Sequence, residues 1–301
     1  MVGRGVTWRT SGGGLKETIK KLAMRLMRPG LVPLHGRVDE VLTRLQRVEA
    51  GLEEAGLMPG QRDKYREELA YWRWLIKTDQ GRASLYAPFD VAFGTWQRDR
   101  LRELGRCLKL PGEGEAFEEA LNEWCSRQSA VEIGSGPYPA LAAAPGWKKG
   151  VAVDPIARGY VEEGLVPPAA GHVTMLEAPG EKVPLPSGSA DLVIIENSLD
   201  HVSDPAAVLN ETRRLLRPGG LLWVLVDLST HSDHMHPHPF DEARIRSLLA
   251  GAGFEVETDR VSDHKSHPKA YGEYRGLLRK PGQGGTSAVE IKATSQAAAL
   301  G

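Results

Sequence analysis

Val131-Glu132-Ile133-Gly134-Ser135-Gly136-Pro137 is the stretch from which the rest of the chain is read. Ala130, Val131 and Ile133 make an apolar run that leads directly into Gly-x-Gly, the pattern of a buried strand closing in a tight glycine turn. Glycine suits such a turn because it accepts positive φ and because a missing Cβ lets a ligand approach the main chain. Glu132 is the last acidic position before the turn, and its carboxylate is expected to meet a cationic or hydroxyl-bearing ligand.

Downstream of this turn, apolar runs alternate with helical patterns, the signature of a parallel α/β sheet. Strands are expected at 130–134, 150–154, 173–176, 190–195 and 221–226, with two closing strands at 254–261 and 271–278. A helix is expected at 205–216. Asp154 ends the second strand, 18 residues past Gly136. In an open α/β sheet that position sets a carboxylate over a nucleoside ribose. The third glycine of a dinucleotide fingerprint would fall at 139, where the chain has Pro139. A helix capping a pyrophosphate is therefore not supported, and a nicotinamide cofactor is disfavoured.

The glycine turn resembles motif I of class I S-adenosylmethionine-dependent methyltransferases. Residues 180–193, and His201-Val202 with Asn210-Glu211 through Pro218-Gly219-Gly220, are similar to the stretches leading into strands four and five of the methyltransferase domain 11 group. The resemblance runs from about residue 130 to 227. It implies a Rossmann-like, seven-stranded, mostly parallel sheet over residues 128–280, with S-adenosylmethionine as cofactor. Carried over, it assigns Glu132, Gly134, Ser135 and Gly136 to the methionine end and ribose. It assigns Asp154 to the ribose hydroxyls, Pro155 and Ile156 to the side of the adenine, Gly180 and Glu181 to its edge, and Asn197 and Ser198 to the floor beneath the cofactor. The family often has an acid where this chain has Pro179, so adenine recognition falls to backbone groups or to Glu177.

A methyl acceptor must be aligned for in-line attack and, if it is a hydroxyl, deprotonated. The loop after strand five carries His231, His234, His236 and His238 at the sheet edge where ligands bind in such folds. Imidazole is the commonest general base. His236 and His234 are the candidate bases, with His201 after strand four as a third. The His-Pro-x-Pro-Phe run also looks like loops in methyltransferases of polysaccharide and sugar pathways. The rival is a metal held by the four loop histidines with Asp227 or Asp233, but prolines interrupt the set and no standard ligand spacing matches; no metal is assigned. The reading is O-methylation of a small-molecule or saccharide hydroxyl. Its alternatives are N- or C-methylation of a small metabolite and a non-catalytic cofactor-binding scaffold.

The N-terminal part reads differently. Residues 1–14 look like a disordered basic tail and 15–127 a helical segment. Residues 15–28 form a basic amphipathic pattern that suits weak membrane-surface contact or packing on protein. Residues 34–56 carry a heptad seam through Val38, Val41, Leu45, Val48 and Leu52, which suits a short coiled coil and a homodimer, or one arm of a helical hairpin. Helices are expected at 61–76, 98–108 and 116–126, with an aromatic, glycine-punctuated segment between the first two. Those aromatics are expected to be the core of a helical layer, or else a lid. Residues 281–301 look like a disordered tail. A net charge of −1 and the lack of a basic stripe in the catalytic half disfavour nucleic acid. Two cysteines suit a reducing compartment, and no apolar run approaches a membrane span or signal-peptide core, so the expected location is cytoplasmic.

Overall fold

The computed structural model describes residues 59–85, 88–264 and 269–282; for 59–63 it describes the backbone only. The basic tail, the amphipathic 15–28, the heptads at 34–56 and residues 283–301 lie outside the described residues. Those that are described belong to one compact unit that begins at Met58. Among them no helix is long and apolar enough to cross a membrane.

Four helices come first: α1 (Pro59–Lys77), the short α2 (Asp79–Ala83), α3 (Phe89–Cys107) and α4 (Gly114–Ser126). Then strands and helices alternate: β1 (Ser129–Ile133), β2 (Lys149–Asp154), α5 (Ala157–Glu162), β3 (Thr174–Glu177), β4 (Ala190–Glu196), α6 (Pro205–Leu215), β5 (Leu216–Leu228), α7 (Glu242–Gly251), β6 (Glu255–Ser262) and β7 (Gly272–Arg279). The seven strands line up as β3-β2-β1-β4-β5-β7-β6. All pairings are parallel except those of β7, which runs against both β5 and β6. The expected sheet is the one that forms.

Side-chain alternation explains why helices cover both faces. Val131 and Ile133, Val193 and Ile195, and Leu222, Val224 and Val226 share one face with Val208 and Leu209 of α6 and Ile245 and Leu249 of α7. Ala130, Leu192, Ile194, Trp223 and Leu277 share the other with Leu101 and Leu104 of α3 and Phe117 and Leu121 of α4. A strand buried on both faces reads as an unbroken apolar run, which is why β4 was easy to place.

Two local expectations need correcting. Helix α3 starts at Phe89, nine residues before the expected 98, because the aromatic segment itself is helical. Phe89 and Phe93 stand one turn apart with ring centroids at 4.5 Å. Strand β5 begins at Leu216 and absorbs the Pro-Gly-Gly turn; the register slips there, between Ala190 opposite Leu216 and Leu192 opposite Leu221.

Candidate active site

The C-terminal ends of β1, β2 and β4 open into a cavity of about 720 Å³, roofed by α1 and walled by α3. That volume is within the range of small-molecule and cofactor sites. At its centre is the turn after β1, with Gly134 at φ +71° and Gly136 at φ +59°. A Cβ on Gly134 would lie 2.2 Å from the Ser198 Cβ, so the loop after β4 packs directly on the turn. Ser198 Oγ donates to the Ile133 carbonyl at 3.0 Å and fastens the two loops together.

Asp154 lines the cavity with 3% of its surface exposed. Its Oδ2 accepts from Gly136 N and its Oδ1 from Ile156 N, each at 3.0 Å. Burial, and then the charge of Glu68, push this carboxyl up to about 8. Glu68 reaches in from α1, and burial raises its carboxyl too. Asn197 is held at φ +45°, and its buried Oδ1 has no hydrogen-bond partner among the described residues. A buried acceptor left open in a ligand-sized cavity is costly unless a donor arrives with the ligand. A nucleoside hydroxyl pair and an amino group fit these acceptors.

Of the other cofactor candidates, Ser135, Pro155, Gly180 and Glu181 line the cavity. Ile156 is buried beside it at the start of α5 and does not line it. Glu181 Oε1 is already engaged by Ser203 N and Asp204 N, at 2.8 and 3.2 Å. Glu177 is turned to Arg158, accepting from its backbone N at 3.1 Å, and is not on the cavity wall.

Glu132 corrects its expected role. Its side chain does not line the cavity; Oε1 accepts from Ala140 N at 2.9 Å and Oε2 from Leu141 N at 3.1 Å. Those amides open a short 3₁₀ helix, Ala140–Ala143. The carboxylate thus takes the helix-start donors that a dinucleotide-binding fold offers to pyrophosphate. Burial pushes Glu132 up to about 8, with the two amides opposing it.

Three of the four loop histidines, His231, His236 and His238, border one small void beside Asp227 and Asp233, and His234 does not. His234 is exposed and meets Glu67 at 2.6 Å, away from the cavity. His231 Nε2 is 2.6 Å from Lys269 Nζ, and His238 Nε2 is 3.1 Å from the Ser203 carbonyl oxygen. With His234 turned to Glu67, the four do not form one ligand set. His236 packs edge to face on His201 with centroids 4.4 Å apart. Its Nδ1 donates to Asp233 Oδ1 at 3.0 Å. Amides of Met235 and His236 donate to the same oxygen at 3.0 and 2.9 Å, and against the pull of desolvation the His236 amide and ring, with Lys269, hold the Asp233 carboxyl well below the usual carboxylate range. His201 lines the main cavity, with Asp200 next to it.

Sequence reasoning missed the contributions of α1 and α3. Lys64, Tyr65, Glu68 and Trp72 close the cavity from above, and Arg100 and Glu103 wall its far end. Lys64 donates to the His201 carbonyl, and burial lowers its ammonium pKa against the pull of Glu68 and Asp200. At the far end Arg100 Nη1 pairs with Glu196 Oε2 at 2.9 Å, and Trp223 Nε1 donates to Glu196 Oε1 at 3.0 Å. Arg275 bridges Glu273 and Glu103. The aromatics of α1 and α3 are both core and cavity wall. Phe89, Tyr138 and Leu75 pack with Trp72 and Phe93, and the last two also face the cavity.

Residues 131–224 match the methyltransferase domain model of the methyltransferase 11 family. Among curated proteins, the chain is 33% identical over 84 residues to a "probable S-adenosylmethionine-dependent methyltransferase" of Mycolicibacterium smegmatis, covering 25% of this chain and 33% of the relative. It is 31% identical over 127 residues to the ubiquinone/menaquinone biosynthesis C-methyltransferase UbiE of Syntrophotalea carbinolica, covering 38% and 49%. The match to UbiE of Geobacter sulfurreducens is 31% over 144 residues, covering 46% and 51%. The aligned part spans about half or less of these relatives' length.

Proposed function

This chain carries a class I S-adenosylmethionine-dependent methyltransferase domain, and from that premise we propose that it methylates a hydroxyl of a small polar molecule or saccharide. One observation carries the reading. The Gly134–Gly136 turn, the Asp154 carboxylate, the open Asn197 Oδ1 and His201 all face a single cavity. Gly134, Ser135 and Gly136 offer main chain at close approach, Asp154 holds the ribose hydroxyls, and Asn197 receives the amino group of the methionine end. Bound there, S-adenosylmethionine supplies an electrophilic methyl group that carries its own activation.

The chain's remaining task is to align the acceptor, keep water out and take up its proton. Helix α1 excludes water from above through Tyr65, Glu68 and Trp72. The proton is handled at the Asp200–His201–His236 cluster, where His201 is presented to the cavity and Asp233 orients His236. The polar far wall, with Arg100, Glu103, Glu196 and Arg275, suits a hydroxylated acceptor better than an apolar one. A second reading, C-methylation, is favoured by the named activity of the UbiE relatives. The test is an acceptor screen read by release of S-adenosylhomocysteine, with sugars, phenols and quinols side by side. Turnover with hydroxylated polar acceptors supports the first reading; methyl incorporation at carbon of a quinol only supports the second.

A further inference from the structure

We propose that Asp200, His201 and His236 hold a divalent transition-metal cation at the wall between the main cavity and a small void behind it. One donor atom from each of the three side chains lies within 4.8 Å of the other two. His201 Nε2 stands 3.9 Å from Asp200 Oδ1. Bonds of about 2.1 Å set neighbouring ligand atoms roughly 3.0–3.4 Å apart, so each donor closes in by less than about 1 Å. Two imidazoles and one carboxylate with open positions suit manganese, iron, cobalt or zinc.

Three further observations point to a cation. The buried Asp200 Oδ1 has no hydrogen-bond partner among the described residues, although a buried carboxylate oxygen needs one. Asp233 accepts from His236 Nδ1 at 3.0 Å and fixes the ring's orientation, as outer carboxylates do for metal-binding histidines. The void behind the cluster, bordered by Asp200, Asp227, Asp233 and His236 and also by His231 and Lys269, measures about 20 Å³, room for one water or ion. The charge balance also agrees: Glu68, Asp200, Asp227 and Asp233 surround the cluster against the ammonium groups of Lys64 and Lys269.

What the cation does rests on the methyltransferase reading. Next to His201, it takes the acceptor as its oxyanion, the proton having gone to solvent before methyl transfer, so that with the cation in place His201 and His236 serve as ligands and not as the base. The acceptor class narrows to molecules that offer a hydroxyl or enol oxygen. The decisive experiment is calorimetric titration of the chelator-stripped, untagged full chain with Mn²⁺ and with Co²⁺, the latter also followed by its visible absorption bands. Titration with S-adenosylmethionine runs beside it on every variant. The expected result is one cation per chain, weakened at least 10-fold by His236→Gln and by Asp200→Asn and unchanged by His234→Gln, with S-adenosylmethionine affinity retained throughout. Absence of saturable metal binding by a protein that binds S-adenosylmethionine overturns the proposal. So does metal binding that His236→Gln and Asp200→Asn leave unchanged. If the metal binds with the expected variant pattern and S-adenosylmethionine does not bind, the metal site stands and the methyltransferase reading falls.

Discussion

Asp154 shows what a binding site costs its protein. The carboxyl is buried, and its pKa of about 8 lies far above the ordinary carboxylate value. A group raised in the folded state gives up its proton on unfolding between roughly pH 4 and pH 8, so its contribution to stability falls as pH rises through that window. Asp154→Asn removes that dependence. The melting temperature of the variant relative to the parent, measured without ligand, is expected to climb from pH 5 to pH 8. Its affinity for S-adenosylmethionine is expected to drop by about 100-fold, roughly two charge-assisted hydrogen bonds. If, as proposed, the ionised form accepts the ribose hydroxyls, parental affinity is expected to strengthen as pH rises through about 8, and the Asp154→Asn substitution to flatten that part of the profile. Among the histidines, His201→Gln is expected to lower kcat by about 10²–10⁴-fold while His234→Gln leaves it unchanged, measured by S-adenosylhomocysteine release. Asp154 was legible because strand order and spacing fix its place. Glu132 was not, since a carboxylate before a glycine turn has the same sequence whether it faces ligand or helix start. The histidines were legible as a loop but not as individuals, because proline-directed turns decide where each one points.

At the scale of elements, the Ala140–Ala143 turn and helix α1 carry the consequences. Glu132→Ala orphans two buried amides at the start of the 3₁₀ helix, at about 1–3 kcal/mol each. For a chain of this size that is a fall of roughly 2–4 °C in melting temperature per kcal/mol. Glu132→Gln keeps one acceptor and is expected to lose about half as much, both read by thermal denaturation. Helix α1 roofs the cavity through Tyr65, Glu68 and Trp72. Its amides are therefore expected to gain protection from hydrogen exchange when S-adenosylmethionine binds, while those of α7, on the far face of the sheet, do not change. The central strands β1, β2, β4 and β5 were readable from sequence because their apolar residues are buried on both faces, whereas the exposed edge strand β6 was placed by its position after a helix. The cavity wall was not, because an aromatic stripe on a helix reads alike whether it meets core or cavity, and here Trp72 and Phe93 border both.

For the molecule as a whole, the glycine turn, the acid 18 residues on and the order of strands bring Gly134, Gly136 and Asp154 to one cavity of about 720 Å³ at the strand ends. Helices that the sequence set apart as an accessory segment complete that cavity, and they belong to the same compact unit as the sheet. Only long-range packing of α1 and α3 over the strand ends reveals this, and no local pattern records it. A ligand that binds only the folded state raises stability by about 2.7 kcal/mol at a hundredfold excess over its Kd, so the melting temperature is expected to rise with S-adenosylmethionine concentration. Most direct is calorimetric titration of the protein with S-adenosylmethionine beside NADH, for the parent and for Asp154→Asn. The account predicts stoichiometric, micromolar binding of S-adenosylmethionine by the parent, marked weakening in the variant and no heat with NADH. Binding of NADH alone, or S-adenosylmethionine binding indifferent to Asp154, would contradict it.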